Sequence, residues 1–446
     1  MPETKVTVIG GGLAGCEAAW QIARRGWPVV VCEMRYTGRD APSPRGTPAH
    51  RTGLLAELVC SNSLKSMEET NAHGLLKAEL DLLDSLVLRC ARESAVPAGK
   101  ALAVDRIEFA RRVTARISTL PNVRLEAREA TELPDGLVVV ASGPLTSGPL
   151  AGCLSKLAGE ENLFFYDAIA PVVSSESLDY SQMFKASRYS DQDGQYWNCP
   201  LDKEQYLDFV KQLVGAERHL PHGFEKGRFY EGCLPVEVMA ERNPNSLRFG
   251  MMKPVGLVDP RRGRRPYAVV QLRQENSAGT MYNLVGFQTQ LAQPEQRRVF
   301  RMIPGLAEAE FYRYGSIHRN TYLKSPKLIE PTLRSKSASP IFFAGQLTGV
   351  EGYVESAATG ILAGINVCRM LSGKQLVVPP LVTMIGSLVR YIANPDNAEN
   401  FQPMNANFGL LPPLDEFHRT KRERYQGYAE RALKAMDGFI GKASGQ

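Results

Sequence analysis

A chain of 446 residues is too long for one ordinary hydrophobic core and points to two globular parts. Its 43% hydrophobic and 22% charged content excludes a disordered or fibrous protein, and no stretch approaches the roughly 18 consecutive apolar residues of a membrane span, so a cytoplasmic protein without a membrane partner is expected. The formal net charge of +6, from 53 Lys and Arg against 47 Asp and Glu, permits a polyanionic partner without requiring one.

Taken in chain order, Lys5 to Gly10 reads as a buried parallel strand. Leu13 to Arg25 reads as an Ala-rich helix ending before Gly26, and Pro28 to Glu33 as a second strand. Together they make a β-α-β unit of about 30 residues, the length of a right-handed crossover. The turn between strand and helix, Gly10-Gly11-Gly12-Leu13-Ala14-Gly15, fits G-x-G-x-x-G, so backbone N–H groups and the helix dipole can receive a pyrophosphate. Glu33 closes the second strand, where a carboxylate can accept from the hydroxyls of an adenosine ribose. Val123 to Ala127, Leu137 to Ala141 and Pro340 to Ala344 are further buried-strand candidates, which completes an α/β, doubly wound parallel sheet.

Between about Asp167 and Thr321 the texture changes. Tyr267 to Arg273 and Met281 to Phe287 suggest antiparallel strands and Lys203 to Val214 a helix, the pattern of an inserted α+β domain. The expected division is therefore 1–166, 167–321 and 322–446, with the first and last segments forming one discontinuous domain. A helix over Gly360 to Met370 follows the late strand, the tail after Gly373 reads as irregular, and Leu414 to Met436 as a terminal helix.

Two further glycine turns favour FAD over NAD. Gly345-Gln346, with Gly352 and a helix close behind, resembles the late flavin motif of glutathione-reductase-like folds, and Gly143 after Leu137-Val-Val-Val-Ala-Ser resembles their middle strand-and-turn motif. No second G-x-G-x-x-G marks a separate NAD(P)H domain. The eight cysteines, at 16, 32, 60, 90, 153, 199, 233 and 368, contain no C-x-x-C pair, so neither a zinc site nor a disulfide framework is indicated and no metal is expected.

More specific segments are Glu57-Leu-Val-Cys60-Ser-Asn-Ser63, Thr70-Asn-Ala-His-Gly74, Pro97 to Arg106, Tyr196-Trp-Asn-Cys199-Pro, Phe229-Tyr-Glu-Gly-Cys233-Leu-Pro-Val-Glu237, Gly315-Ser-Ile-His318-Arg319-Asn320-Thr and Phe401 to Gly409. With them the chain resembles the folate- and FAD-dependent tRNA (uracil-5-)-methyltransferase family, TrmFO, from the first strand to the terminal helix. A related family, the MnmG/GidA flavoproteins acting on wobble uridines, shares the Ala-Gly-Gln and late glycine motifs but carries a long C-terminal helical extension.

The resemblance implies a reaction: methylene passes from methylenetetrahydrofolate to uracil-54 of the tRNA T loop, reduced FAD supplies electrons, and NAD(P)H restores the flavin, with no obligate protein partner. Uracil C5 is a poor nucleophile until a thiolate adds at C6, so a cysteine is required. Cys233 is the expected nucleophile and Cys60, by resemblance beside the flavin, the group that shapes its pocket or removes the C5 proton; the opposite assignment gives the same reaction. Cys199 reads as structural. His318 resembles the imidazole that covers the folate pterin, with Arg319 and Asn320 supplying polar contacts. Arg261, Arg262, Arg264 and Arg265 in one loop, and Arg419, Lys421, Arg422 and Arg424 near the terminus, read either as solvated surface or as phosphate-binding faces. A tRNA-binding flavoprotein without transferase activity is the alternative of a different class.

Overall fold

Continuous apolar runs are what a sheet buried on both faces demands, and four of them assemble here with the alternating Val123–Glu126 at one edge. The computed structural model describes residues 5–47, 49–159, 163–188, 194–219, 234–337, 340–416 and 418–444. In it Ile341–Phe343, Leu137–Val140, Val6–Ile9, Val29–Cys32 and Val123–Glu126 lie in that spatial order as one sheet, every neighbour parallel. The three middle strands are buried throughout. All five fall inside the segments read from sequence, shortened by a residue or two at the ends.

Helix Leu13–Ala23 packs across helix Tyr353–Leu371. The approach is close because Gly360 and Gly364, one turn apart, face Ala14 and Ala18: a Cβ on Gly360 would collide with the Ala14 carbonyl, and one on Gly364 would sit 2.8 Å from Gln21 Cβ. Each helix follows a strand of the parallel sheet, so both N-termini meet at the carboxyl edge, where such folds bind ligands. The second helix begins at Tyr353, directly after Gly352, and runs through the predicted Gly360 to Met370.

Elements unseen in the sequence fill the first core. Ser63–Ser66, Ala101–Val104 and Ala95–Val96 make a small antiparallel sheet, flanked by helices Ala72–Leu82, Leu86–Glu93 and Arg106–Ser118. The tail holds a helix at Met384–Ala393 where irregular chain was expected. The terminal helix is Lys421–Ser444 rather than Leu414 to Met436. Its start is fixed by Thr420 and Glu423, whose side chains accept from each other's backbone N–H at 3.1 and 3.0 Å.

The inserted region forms a six-stranded sheet: Phe184–Ala186, Tyr196–Leu201, Ala268–Gln274, Met281–Leu284, Val172–Ser174 and Phe311–Arg313, all antiparallel. Helix Lys203–Val214 covers it, and Tyr206, Phe209, Phe287 and Phe300 form a second core distinct from the first. Strands Leu163–Ile169 and Ser316–Tyr322, where the chain passes between the two regions, pair with each other.

Candidate functional site

A cleft of about 1190 Å³, its open mouth included, runs along the carboxyl edge of the parallel sheet. Its lining extends from Glu33 and Arg128 to Tyr353 and Asn320, an elongated set that suits an extended ligand rather than an ion. Gly10, Gly12, Leu13, Ala14, Glu33, Gly143, Gly345 and Gln346 line it, joined by Arg35, Arg128, Cys60, Tyr353 and Asn320. Gly10, at φ +103°, turns beneath Ala141 so tightly that a Cβ would strike the Ala141 carbonyl. A Cβ on Gly12 would meet nothing within 4 Å, and no side chain caps the helix it precedes. The first N–H groups of that helix are left for a ligand. Gly143, at φ +73°, also opens onto free space.

The remaining predicted glycines sit behind this lining. Gly11 donates its N–H to Glu33 Oε2 at 2.7 Å, Gly15 gives its space to the Gly10 carbonyl, and Gly352 caps the second helix against Glu355. Glu33 is buried, and its other oxygen accepts from the Arg35 N–H at 2.9 Å. From Glu33 and Arg128 at one end, through the uncapped helix, to Gly143, Gly345 and Tyr353, the residues present fit a dinucleotide such as FAD.

At the latter end lies Cys60. Of the seven described cysteines Cys60 and Cys153 are half-buried, and of these two Cys60 lines the cleft; Cys16, Cys32, Cys90, Cys199 and Cys368 are buried, and burial pushes the Cys90 and Cys368 thiols up to about 12. Tyr353 Oη accepts from the N–H groups of Cys60 and Ser61 at 3.0 and 3.1 Å and stands 3.1 Å from Cys60 Sγ. With two donors on the phenol oxygen, its own proton is left to point at sulfur. Burial, and then the adjacent Cys60, hold the Tyr353 phenol well above its usual range, so it remains a donor.

Three arginines fix the same loop. Arg106 donates to the carbonyls of Leu58 and Val59 at 3.0 and 2.9 Å and pairs with Glu275. Arg273 donates to Asn62 Oδ1 at 2.9 Å and Ser61 Oγ at 3.0 Å, and Arg313 to the Val59 carbonyl at 2.7 Å. Burial first, and then the neighbouring arginine charges, bring Arg313 down to about 10. Arg273, Glu275 and Arg313 belong to the inserted region, so the loop is clamped from both sides. Arg106 lay inside a quoted motif and Tyr353 directly after Gly352. Arg273 closes the predicted strand Tyr267 to Arg273, and nothing local in the sequence marks its distant partners Asn62 and Ser61.

Asn320 is 5% exposed and lines the cleft; the adjacent Thr321 N–H donates to the Pro144 carbonyl at 2.8 Å and ties its strand to the Gly143 turn. His318 and Arg319 lie in the same strand, opposite Asp167 and Tyr166, with their side chains outside the described set. Cys233 lies outside the described residues. Arg261 departs from the expected basic cluster: it forks onto Asp259 at 2.9 and 2.7 Å.

The family model for glucose inhibited division protein A matches residues 5–375. A methylenetetrahydrofolate–tRNA-(uracil-5-)-methyltransferase TrmFO of Moorella thermoacetica is 56% identical over 431 residues, 96% of this chain and 97% of that protein. The protein of the same name from Pelotomaculum thermopropionicum is 55% identical over 435 residues, 97% of this chain and 98% of its own. The solved structure of Aquifex aeolicus GidA superposes with a TM-score of 0.69 at 16% identity, over 98% of this chain and 76% of that one, which is a likeness of fold.

Proposed function

The chain belongs to the glucose-inhibited division protein A family and, within it, to the TrmFO methyltransferases, and from that premise we propose that the cleft carries out folate-dependent C5 methylation of uracil-54 in the tRNA T loop. It is an FAD- and folate-dependent tRNA (uracil-5-)-methyltransferase. The observation that carries the residue-level reading is the meeting of an uncapped, glycine-lined dinucleotide cradle with the Cys60 thiol in one cleft.

FAD would be held by Gly10, Gly12, Leu13 and Ala14 at its pyrophosphate, by Glu33 at its ribose, and by Gly143, Gly345 and Gln346 toward the flavin. When bound it supplies the electrons that turn a methylene into a methyl, and NAD(P)H restores them. Cys233 adds to uracil C6 and makes C5 nucleophilic. Cys60 takes the C5 proton, oriented by Tyr353 and by the loop that Arg106, Arg273 and Arg313 immobilise. Asn320, with His318 and Arg319 on the same strand, holds the folate. The target uridine leaves its stack to reach the cleft. The two cores support the division into 1–166, 167–321 and 322–446. A cytoplasmic enzyme with no obligate protein partner completes the reading; among the described residues no helix is long and apolar enough to cross a membrane.

The test is to incubate FAD-loaded protein with a T-arm RNA carrying 5-fluorouridine, methylenetetrahydrofolate and NADPH, then digest and weigh the peptides. A covalent RNA adduct on the Cys233 peptide, absent in Cys233→Ala, is expected. An adduct on Cys60 would exchange the two roles, and no adduct on either cysteine would contradict thiolate addition.

A further inference from the structure

The far end of the strand that carries Arg273 has a composition that the cleft does not use. Ala268–Gln274 finishes at the Cys60 loop, where Asn62 Nδ2 donates to the Gln274 carbonyl at 3.1 Å. Six residue steps at about 3.3 Å put its other end about 20 Å away. There a groove is lined by Lys203, Arg248, Arg262, Arg264, Arg265 and Tyr267, with Asp202 and Asp259.

Both carboxylates are already engaged. Asp202 caps helix Lys203–Val214 by accepting from the Gln205 N–H at 2.9 Å, and Asp259 is held by Arg261, which keeps its carboxyl below the usual range. Arg262, Arg264 and Arg265 are exposed and have no carboxylate within ion-pair distance among the described residues. Phe249, which follows the groove-lining Arg248 in the chain, is 73% exposed. The Arg248 guanidinium stands 5.3 Å from the Phe249 ring and 4.2 Å from the Tyr267 ring, and its Nε donates to the Tyr267 carbonyl at 3.1 Å.

Three guanidinium groups without a carboxylate partner, in a groove whose Arg248 also contacts an exposed aromatic ring, fit a ligand with closely spaced phosphates and π-faces. A folded nucleic acid with one base in the cleft spans about 20 Å and brings several backbone phosphates at once to a cluster of guanidinium groups. We propose that this groove on the inserted domain docks the sugar-phosphate backbone of the tRNA substrate, with Arg262, Arg264 and Arg265 on phosphates and Phe249 under an unstacked base. The assignment rests on the tRNA methyltransferase reading and names the surface by which that substrate is held.

The experiment uses the full-length, FAD-loaded protein and an unmodified tRNA transcript, measuring binding across a salt series and methyl transfer at each tRNA concentration. R262E/R264E/R265E is expected to weaken tRNA binding at least tenfold and to lower the salt slope by roughly 2–3, with FAD content and flavin reduction by NADPH unchanged. R262Q/R264Q/R265Q, which adds no repulsion, should move both in the same direction. Phe249→Ala should weaken binding several-fold and leave the slope alone. Wild-type affinity and slope in both triple variants would overturn the docking surface, as would a loss confined to R419E/R422E/R424E at the terminal helix. If the wild type bound tRNA through this groove but transferred no methyl group, the functional reading would fall and the docking surface would stand.

Discussion

Tyr353 engages two backbone N–H groups and a thiol with one oxygen, which makes Tyr353→Phe an informative single-atom deletion. The variant leaves the Cys60 and Ser61 donors without their acceptor, a cost of about 1–3 kcal/mol in unfolding free energy. It also removes the proton facing sulfur. Methyl transfer is expected to fall at least tenfold in protein that still retains FAD, and a rate within twofold of wild type would show that the thiol needs no such partner. A second contrast separates room for a ligand from packing. Gly12→Ala places its methyl in open cleft, whereas Gly15→Ala drives one into the Gly10 carbonyl. Gly12→Ala should leave apoprotein unfolding within about 0.5 kcal/mol of wild type while weakening FAD binding at least tenfold. Gly15→Ala should cost about 1–3 kcal/mol even without FAD. Thermal unfolding of apoprotein and FAD titration of both variants read the difference directly.

At the scale of elements, two helices begin on carboxylates supplied from elsewhere in the fold. Glu79 accepts from Met384 and Ile385 N–H at 2.6 and 2.9 Å, and Glu17 from Leu86 and Val87 N–H at 3.2 and 2.9 Å. Both are fully buried. Burial raises Glu79 from 4.5 to about 8, although the two N–H donors oppose it, and raises Glu17 to about 7. A folded value above the unfolded one means that this contribution to stability is complete below about pH 4.5 and drains away as pH climbs toward about 8. Glu79→Gln should therefore flatten stability against pH over that window, as read by denaturant titrations at a series of pH values; an unchanged slope would mean that Glu79 stays ionised when buried. These contacts also explain what the sequence concealed. Four of the parallel strands are legible as continuous apolar runs, and the edge strand Val123–Glu126 as an alternation of apolar and charged residues. Met384–Ala393 carries a local cap, Thr383 Oγ1 accepting from the Gly386 N–H at 3.0 Å, but the carboxyl that receives its first two N–H groups stands 305 positions away. The start of the terminal helix is written locally, in Thr420 and Glu423, rather than at the apolar Leu414.

For the molecule as a whole, the cradle and the reactive loop come from different parts of one chain. Gly10 to Gly15, Glu33, Gly143 and Gly345 could each be found from a local pattern, because a turn after a strand writes itself in adjacent residues. Their convergence with Cys60 and Asn320 could be expected only by resemblance. Arg273 and Arg313, which clamp the Cys60 loop from the inserted region, are long-range partners with no local signature. Cys233, the expected nucleophile, lies outside the described residues, and its role rests on chemistry and family. The measurement that tests the account most directly combines FAD-loaded protein, unmodified tRNA transcript, NADPH and methylenetetrahydrofolate labelled in its methylene carbon, followed by digestion of the tRNA to nucleosides. Label in 5-methyluridine, lost in Cys233→Ala and in transcripts lacking the T-loop uridine, is the expected result; tRNA that emerges without labelled 5-methyluridine from protein shown to carry FAD would contradict it.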